Sequence, residues 1–246
     1  MKYLNLIKTD LNIMAERWRV TVHTHRSDTS VDEPELVELN RNNNYLNMMT
    51  IGDSMLRFLP LMGAMSIAIS GATIQELGKR YQTNFYKGAY DPDVIVLMIG
   101  TNNIEDHYDK IIEHIEHLFK NLAETFTKQL KIVSGIRHRP RDTNWNINVT
   151  NERTERRKRL NETLKQKCQD RPDFIYRNPY KIETRMTYNS DNRRTRQLDR
   201  QIFLPDGLHL SKKGKEMMAI GLSRIIYEDL RDDITAYVSK RLHRPK

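Results

Sequence analysis

Thr50-Ile51-Gly52-Asp53-Ser54-Met55 decides how this chain is read. The apolar run 45–51 stops abruptly at Gly52-Asp53-Ser54, and a helical pattern resumes beyond it. An apolar run closed by Gly-Asp-Ser reads as a strand ending in a tight turn with a hydroxyl at its tip. Alone, such a tripeptide marks only a turn. Its weight comes from three later pieces: Ser70-Gly71-Ala72-Thr73, Gly100-Thr101-Asn102-Asn103 and Asp206-Gly207-Leu208-His209.

Outward from that stretch the periodicities alternate. Strands are expected at 45–51, 66–70, 94–99, 130–133 and 173–176. The run 94–99 is apolar at every position, as a strand covered on both faces must be. A short helical stretch is expected at 55–62. Ile74, Leu77, Gly78, Tyr81 and Phe85 recur at helical spacing, as do Ile111, Ile115, Leu118, Leu122 and Phe126. Leu160, Leu164 and Cys168 mark a further helix, and 212–238 the last one. Segments 137–151 and 177–201 read as polar loops, and 17–23 as a short alternating strand. Five alternations of strand and helix predict a parallel sheet with helices on both faces and right-handed crossovers. Such sheets gather functional groups at the carboxyl ends of their strands. Ser54, Gly71 and Asn102 follow the first three strands, and Asp206 and His209 follow the fifth, so all are expected on one edge.

These residue types supply what acyl transfer needs. Ser54 would be the nucleophile. His209 would be the base and later the acid, since an imidazole titrates near neutrality. Asp206, three residues before it on one side of a helical turn, would hold the ring in one tautomer. The backbone N–H groups of Ser54 and Gly71 and the side-chain amide of Asn102 would form an oxyanion hole. Each piece has a plainer explanation: Gly71 a turn, Gly100–Asn103 a capping loop, Asp206-Gly207 a turn pair, His209 a satisfied, partly buried histidine. Their joint arrival at strand ends favours the catalytic reading.

Composition narrows the class. The chain has 246 residues, 38% apolar and 30% charged, enough for one large α/β domain. A single cysteine, Cys168, excludes an internal disulfide. No apolar run reads as a signal peptide or membrane span, so a soluble intracellular or virion-associated protein is expected. The net charge is +9, and residues 137–200 carry 18 Lys/Arg against 9 Asp/Glu, leaving 23 of each elsewhere. The entire excess therefore sits in one segment. Arg153, Arg156, Arg157, Lys158 and Arg159 are candidate contacts for nucleic acid or an anionic membrane surface. A solvated arginine-rich helix is the simpler alternative. His107, His114 and His117 read as a polar helix face rather than a metal site.

The four blocks resemble those of the SGNH hydrolases, also called GDSL-type esterases and lipases, over about residues 45–230. Met55 stands where Leu is usual, and Asn103 where Asp is usual. The resemblance implies a flavodoxin-like three-layer α/β/α sandwich with a five-stranded parallel sheet. It also implies an open, shallow site and a serine esterase needing neither metal nor cofactor. The expected substrate is a small ester or an acylated glycan or lipid, with a short acyl group, acetyl foremost. Residues 1–44 are taken as an extension and 45–246 as the hydrolase-like domain, with basic insertions at 137–159 and 177–201. Retrotransposon and viral esterase-domain proteins provide the alternative, in which the basic segment binds a polyanion on a hydrolase scaffold.

Overall fold

The computed structural model describes residues 23–24, 47–56, 59, 64–82, 91–137, 147–178, 184–188, 194–198, 200–207 and 209–242. Six parallel strands form one sheet: β1 (His23–Thr24), β2 (Met48–Asp53), β3 (Ala64–Ile69), β4 (Val94–Met98), β5 (Leu130–Ser134) and β6 (Phe174–Arg177). Their order is β1-β3-β2-β4-β5-β6. The five longer strands are those expected from the sequence. The two-residue β1 adds an edge, pairing His23 with Ala68 and Thr24 with Ile69.

Alternation along the strands divides the core into two layers. Met49, Ile51, Ile67, Ile69, Ile95 and Leu97 face one layer of helices. That layer consists of α1 (Ile74–Gln82), α2 (Tyr108–Thr125) and α3 (Ile147–Gln169), which contribute Leu77, Ile115, Phe119 and Leu164. Met48, Ala68, Val94, Val96, Met98 and Ile132 face the other layer. There α4 (Lys212–Arg224) and α5 (Arg231–Leu242) supply Met218, Leu222 and Ile234. Apolar residues on both faces of each strand are why these segments read as continuous apolar runs.

Because β3 lies on one side of β2 and β4 on the other, the connections from these strands diverge around β2. That is the place where an open α/β sheet leaves a crevice above its carboxyl edge. The strands approach closely there: a Cβ on Gly52 would lie 1.8 Å from the Met98 carbonyl oxygen, so only glycine fits.

Three expectations change. The segment 147–151 belongs to helix α3 rather than to a loop, although its first turns show no apolar stripe. The polar segment 177–201 contains an antiparallel hairpin, β7 (Thr184–Tyr188) and β8 (Arg194–Leu198). The final helix 212–238 is interrupted by a π-turn at Ile225–Asp229, where the Leu230 N–H donates to the Ile225 carbonyl at 2.9 Å. Of the short helix expected at 55–62, Ser54–Leu56 is a 3₁₀ turn, while 57–58 and 60–63 lie outside the described residues. So do 1–22 and 25–44 of the proposed extension, and 45–46 just after it.

Candidate active site

The site begins where β2 ends. Asp53 is 1% exposed, and its Oδ1 accepts the Met55 N–H at 2.9 Å. This bond folds the chain into the 3₁₀ turn that carries Ser54 at its first position. Burial pushes the Asp53 carboxyl up to about 6. The Met55 N–H, the Thr101 hydroxyl and the charges of Arg137 and His209 oppose that rise.

His209 approaches Ser54 from 155 residues away. Its Nε2 lies 3.1 Å from Ser54 Oγ, and its Nδ1 lies 2.7 Å from Asp206 Oδ2. Asp206 Oδ1 also accepts the His209 backbone N–H at 2.9 Å. One carboxylate therefore grips both the ring and the backbone of the same residue. A proton on Nδ1, facing that carboxylate, leaves Nε2 as an acceptor for the serine hydroxyl. The pair is open to solvent, the side chains of His209 and Asp206 being 38% and 45% exposed.

Asp206 and Gly207 lie in a turn, not in the helical turn expected from the spacing of Asp206 and His209. Gly207 has φ 63, a left-handed conformation that breaks a right-handed helix. A short antiparallel closure holds the turn. The Leu204 N–H donates to the His209 carbonyl at 2.7 Å, Phe203 bridges Leu210, and the Ser211 N–H donates to the Ile202 carbonyl at 2.9 Å.

Gly71 and Asn102 sit on the two loops flanking Ser54. Gly71 occupies the exposed turn after β3, with φ 69. Asn102 is half-buried in the 3₁₀ turn Thr101–Asn103 after β4, and its Nδ2 donates to the Ala72 carbonyl at 2.9 Å. A primary amide carries two N–H groups, and this bond fixes its plane with one of them. Asn103, 1% exposed, ties the same two loops together. Its Oδ1 accepts the Ile74 N–H at 2.9 Å, and its Nδ2 donates to Asp106 Oδ2 at 2.7 Å. A carboxylate at 103 would still accept from Ile74 but would face Asp106 as a like charge. An amide at this position, unlike a carboxylate, can both accept from Ile74 and donate to Asp106.

The candidate polyanion contacts on α3 bear on the protein itself. Arg153 Nε lies 2.5 Å from Glu105 Oε1, Arg156 Nη2 2.7 Å from Glu152 Oε1, and Lys158 Nζ 2.6 Å from Glu155 Oε1. The Arg159 guanidinium lies 3.6 Å from the Tyr108 ring centroid. Arg157 is 8% exposed. Arg137, the first residue of the basic segment, is 3% exposed, 5.9 Å from the Phe203 ring centroid, and within electrostatic reach of Asp53. Sequence reading missed it because a charge run gives no sign of which member turns inward.

Among the described residues no group of three or more His, Cys, Asp or Glu is placed to hold a metal. No helix among them is long and apolar enough to cross a membrane.

The family model described as GDSL-like Lipase/Acylhydrolase matches residues 35–222. No match to the sequence is found among the curated proteins. Among solved structures, a Bacteroides fragilis protein described as an acylhydrolase superposes with a TM-score of 0.58 at 18% identity, over 80% of this chain and 93% of that one. A GDSL-like lipase from Bacteroides thetaiotaomicron gives 0.55 at 16% identity, over 74% and 88%. A family 3 carbohydrate esterase from Clostridium thermocellum gives 0.51 at 16% identity, over 78% and 98%. At these identities the likeness is one of fold.

Proposed function

This chain belongs to the GDSL-like lipase/acylhydrolase family, and from that premise we propose that it is a serine esterase that hydrolyses short-chain acyl esters, acetyl esters foremost. Ser54 is the nucleophile, His209 the general base and acid, and Asp206 the group that orients and charge-balances the imidazole. The single observation that carries this reading is the relay from Ser54 Oγ to His209 Nε2 at 3.1 Å and from His209 Nδ1 to Asp206 at 2.7 Å.

In acylation, His209 takes the Ser54 proton as Oγ attacks the ester carbonyl. The carbonyl oxygen becomes an oxyanion, held by the Ser54 and Gly71 N–H groups and the second amide hydrogen of Asn102. His209 then returns the proton to the departing alkoxide, and an acyl-serine remains. Water, deprotonated by His209, repeats the sequence and releases the carboxylic acid and free serine.

The short acyl preference rests on the surroundings. Among the described residues the large hydrophobics left exposed are Leu204, beside the Asp206–His209 turn, and Tyr227. Leu204 is the described apolar side chain exposed beside that turn, and a small acyl group needs no more apolar contact than one such side chain. The test is a series of p-nitrophenyl esters of increasing acyl length. Turnover is expected to be fastest for the acetyl ester and absent in Ser54→Ala. A wild-type protein inert across the whole series overturns the proposal, and a preference for long chains overturns its acyl assignment.

A further inference from the structure

Three of the candidate polyanion contacts on α3 also touch the loop that bears Asn102 or the residue that follows it: Arg153 and Arg156 at Glu105, and Arg159 at Tyr108. That loop runs from Gly100 to His107 between β4 and α2, and beyond its 3₁₀ turn it is irregular. Its inner side is anchored by Asn103, bonded to Ile74 and Asp106, and by Ile104, 1% exposed. Its outer side is held from α3. Arg153 Nε reaches Glu105 Oε1 at 2.5 Å, with the Arg153 side chain only 15% exposed. Arg156 Nη1 makes a longer contact, 3.5 Å, to the Glu105 carbonyl. Arg159 covers the Tyr108 ring, and the Tyr108 hydroxyl lies 2.5 Å from Thr163 Oγ1.

We propose that Arg153 and Arg159 are positioning residues for catalysis: from α3 they clamp Glu105 and Tyr108, and through that loop they fix the amide of Asn102. The inference rests on the esterase reading above, because it gives the clamp a catalytic object. The Arg153–Glu105 contact is an ion pair without hydrogen-bond geometry at Nε, and with Arg153 15% and Glu105 55% exposed it is screened less than a fully exposed pair. Glu105 lies three residues from an amide whose placement within the oxyanion hole governs the barrier. Misplacing a reacting group by about 1 Å can cost up to about 100-fold in rate. Within 137–200, Arg153 thus faces an acidic group of the same chain, the exposed Glu105.

The test is a double-mutant cycle read in kcat and KM with p-nitrophenyl acetate. Arg153→Met is expected to lower kcat about tenfold with KM within about twofold, since the donor matters most in the transition state. Glu105→Gln, an exposed and near-isosteric change, should reproduce it, and Arg153→Lys should recover part of the loss. In an Asn102→Ala background, Arg153→Met should cost less than about twofold, because the residue it acts through is gone. Wild-type kcat in both Arg153→Met and Glu105→Gln overturns the inference, as does a loss that persists undiminished without Asn102. Backbone hydrogen exchange provides a readout independent of turnover: Arg153→Met should speed exchange at amides 101–106. A wild-type protein inert to every ester removes the catalytic object and sinks the esterase reading. The exchange result then decides the clamp itself, faster exchange upholding it and unchanged exchange refuting it.

Discussion

On the nucleophile flank of the site, Asp53 and Asn103 are each 1% exposed and hold the chain through hydrogen bonds to Met55, Ile74 and Asp106. On the base flank, His209 and Asp206 keep 38% and 45% of their side-chain exposure and depend on one turn closed by Leu204 and His209. In the proposed reading the oxyanion donors must keep hydrogen-bond distance to the developing charge, and buried supports at the sheet edge suit that demand. In the proposed mechanism proton transfer runs along the Ser54–His209–Asp206 hydrogen bonds, and an exposed turn supports it with little desolvation. The contrast predicts that substitutions on the base flank damage rate and leave stability nearly unchanged. On the nucleophile flank, the supporting side chains affect both.

The largest effect is expected where the flanks meet. Ser54→Ala should lower kcat by about 10⁶-fold, as loss of the nucleophile does in serine hydrolases. Its urea midpoint should stay near that of wild type, because the half-buried hydroxyl bonds to the partly exposed His209. Asp206→Ala comes next, at about 10⁴-fold in kcat, with a stability change within about 0.5 kcal/mol as for exposed sites. A large loss of stability there would erase the difference between the flanks. Asn102→Ala should cost about 10²–10³-fold in kcat, the range for one oxyanion donor, with KM little altered.

Asp53 sharpens the comparison through pH. Its carboxyl stands at about 6 in the folded chain against 3.8 as the ordinary value. The folded state therefore binds the proton more tightly, and this group's contribution to stability is greatest below the ordinary value. That contribution falls as pH rises from about 4 to about 6 and is flat above, a total of roughly 3 kcal/mol. Asp53→Asn, which keeps an acceptor for the Met55 N–H, should flatten that stretch of the stability profile. Urea midpoints measured from pH 4 to 7 check it. An unchanged slope would mean that Asp53 is not the group that titrates there.

The sheet was legible because strand ends are local events: apolar runs stop at Gly52-Asp53-Ser54, Ser70-Gly71 and Gly100, and each stop lies at the carboxyl edge. The nearness of Ser54 to His209 was legible only in part: Gly52-Asp53-Ser54 closes β2, whereas Asp206–His209 lies beyond the β7–β8 hairpin and is brought to it by tertiary packing. Helix α3 was half hidden because its first turns, rich in Arg and Glu, hold no apolar stripe and pack partly through ion pairs. The β7–β8 hairpin was hidden because Thr184–Tyr188 and Arg194–Leu198 lack clean apolar alternation. Asn103 to Asp106, Arg137 beside Asp53, and Arg153 to Glu105 are pairings set by tertiary placement. No spacing in the sequence announces them.

The most direct measurement is mass-spectrometric mapping of a fluorophosphonate adduct, which reports an activated serine without knowledge of the natural ester. A single adduct is predicted on Ser54, absent in Ser54→Ala and formed far more slowly in His209→Ala. An unlabelled wild-type protein, or an adduct on another residue that survives Ser54→Ala, would contradict the convergence of Ser54, His209 and Asp206 into one catalytic relay.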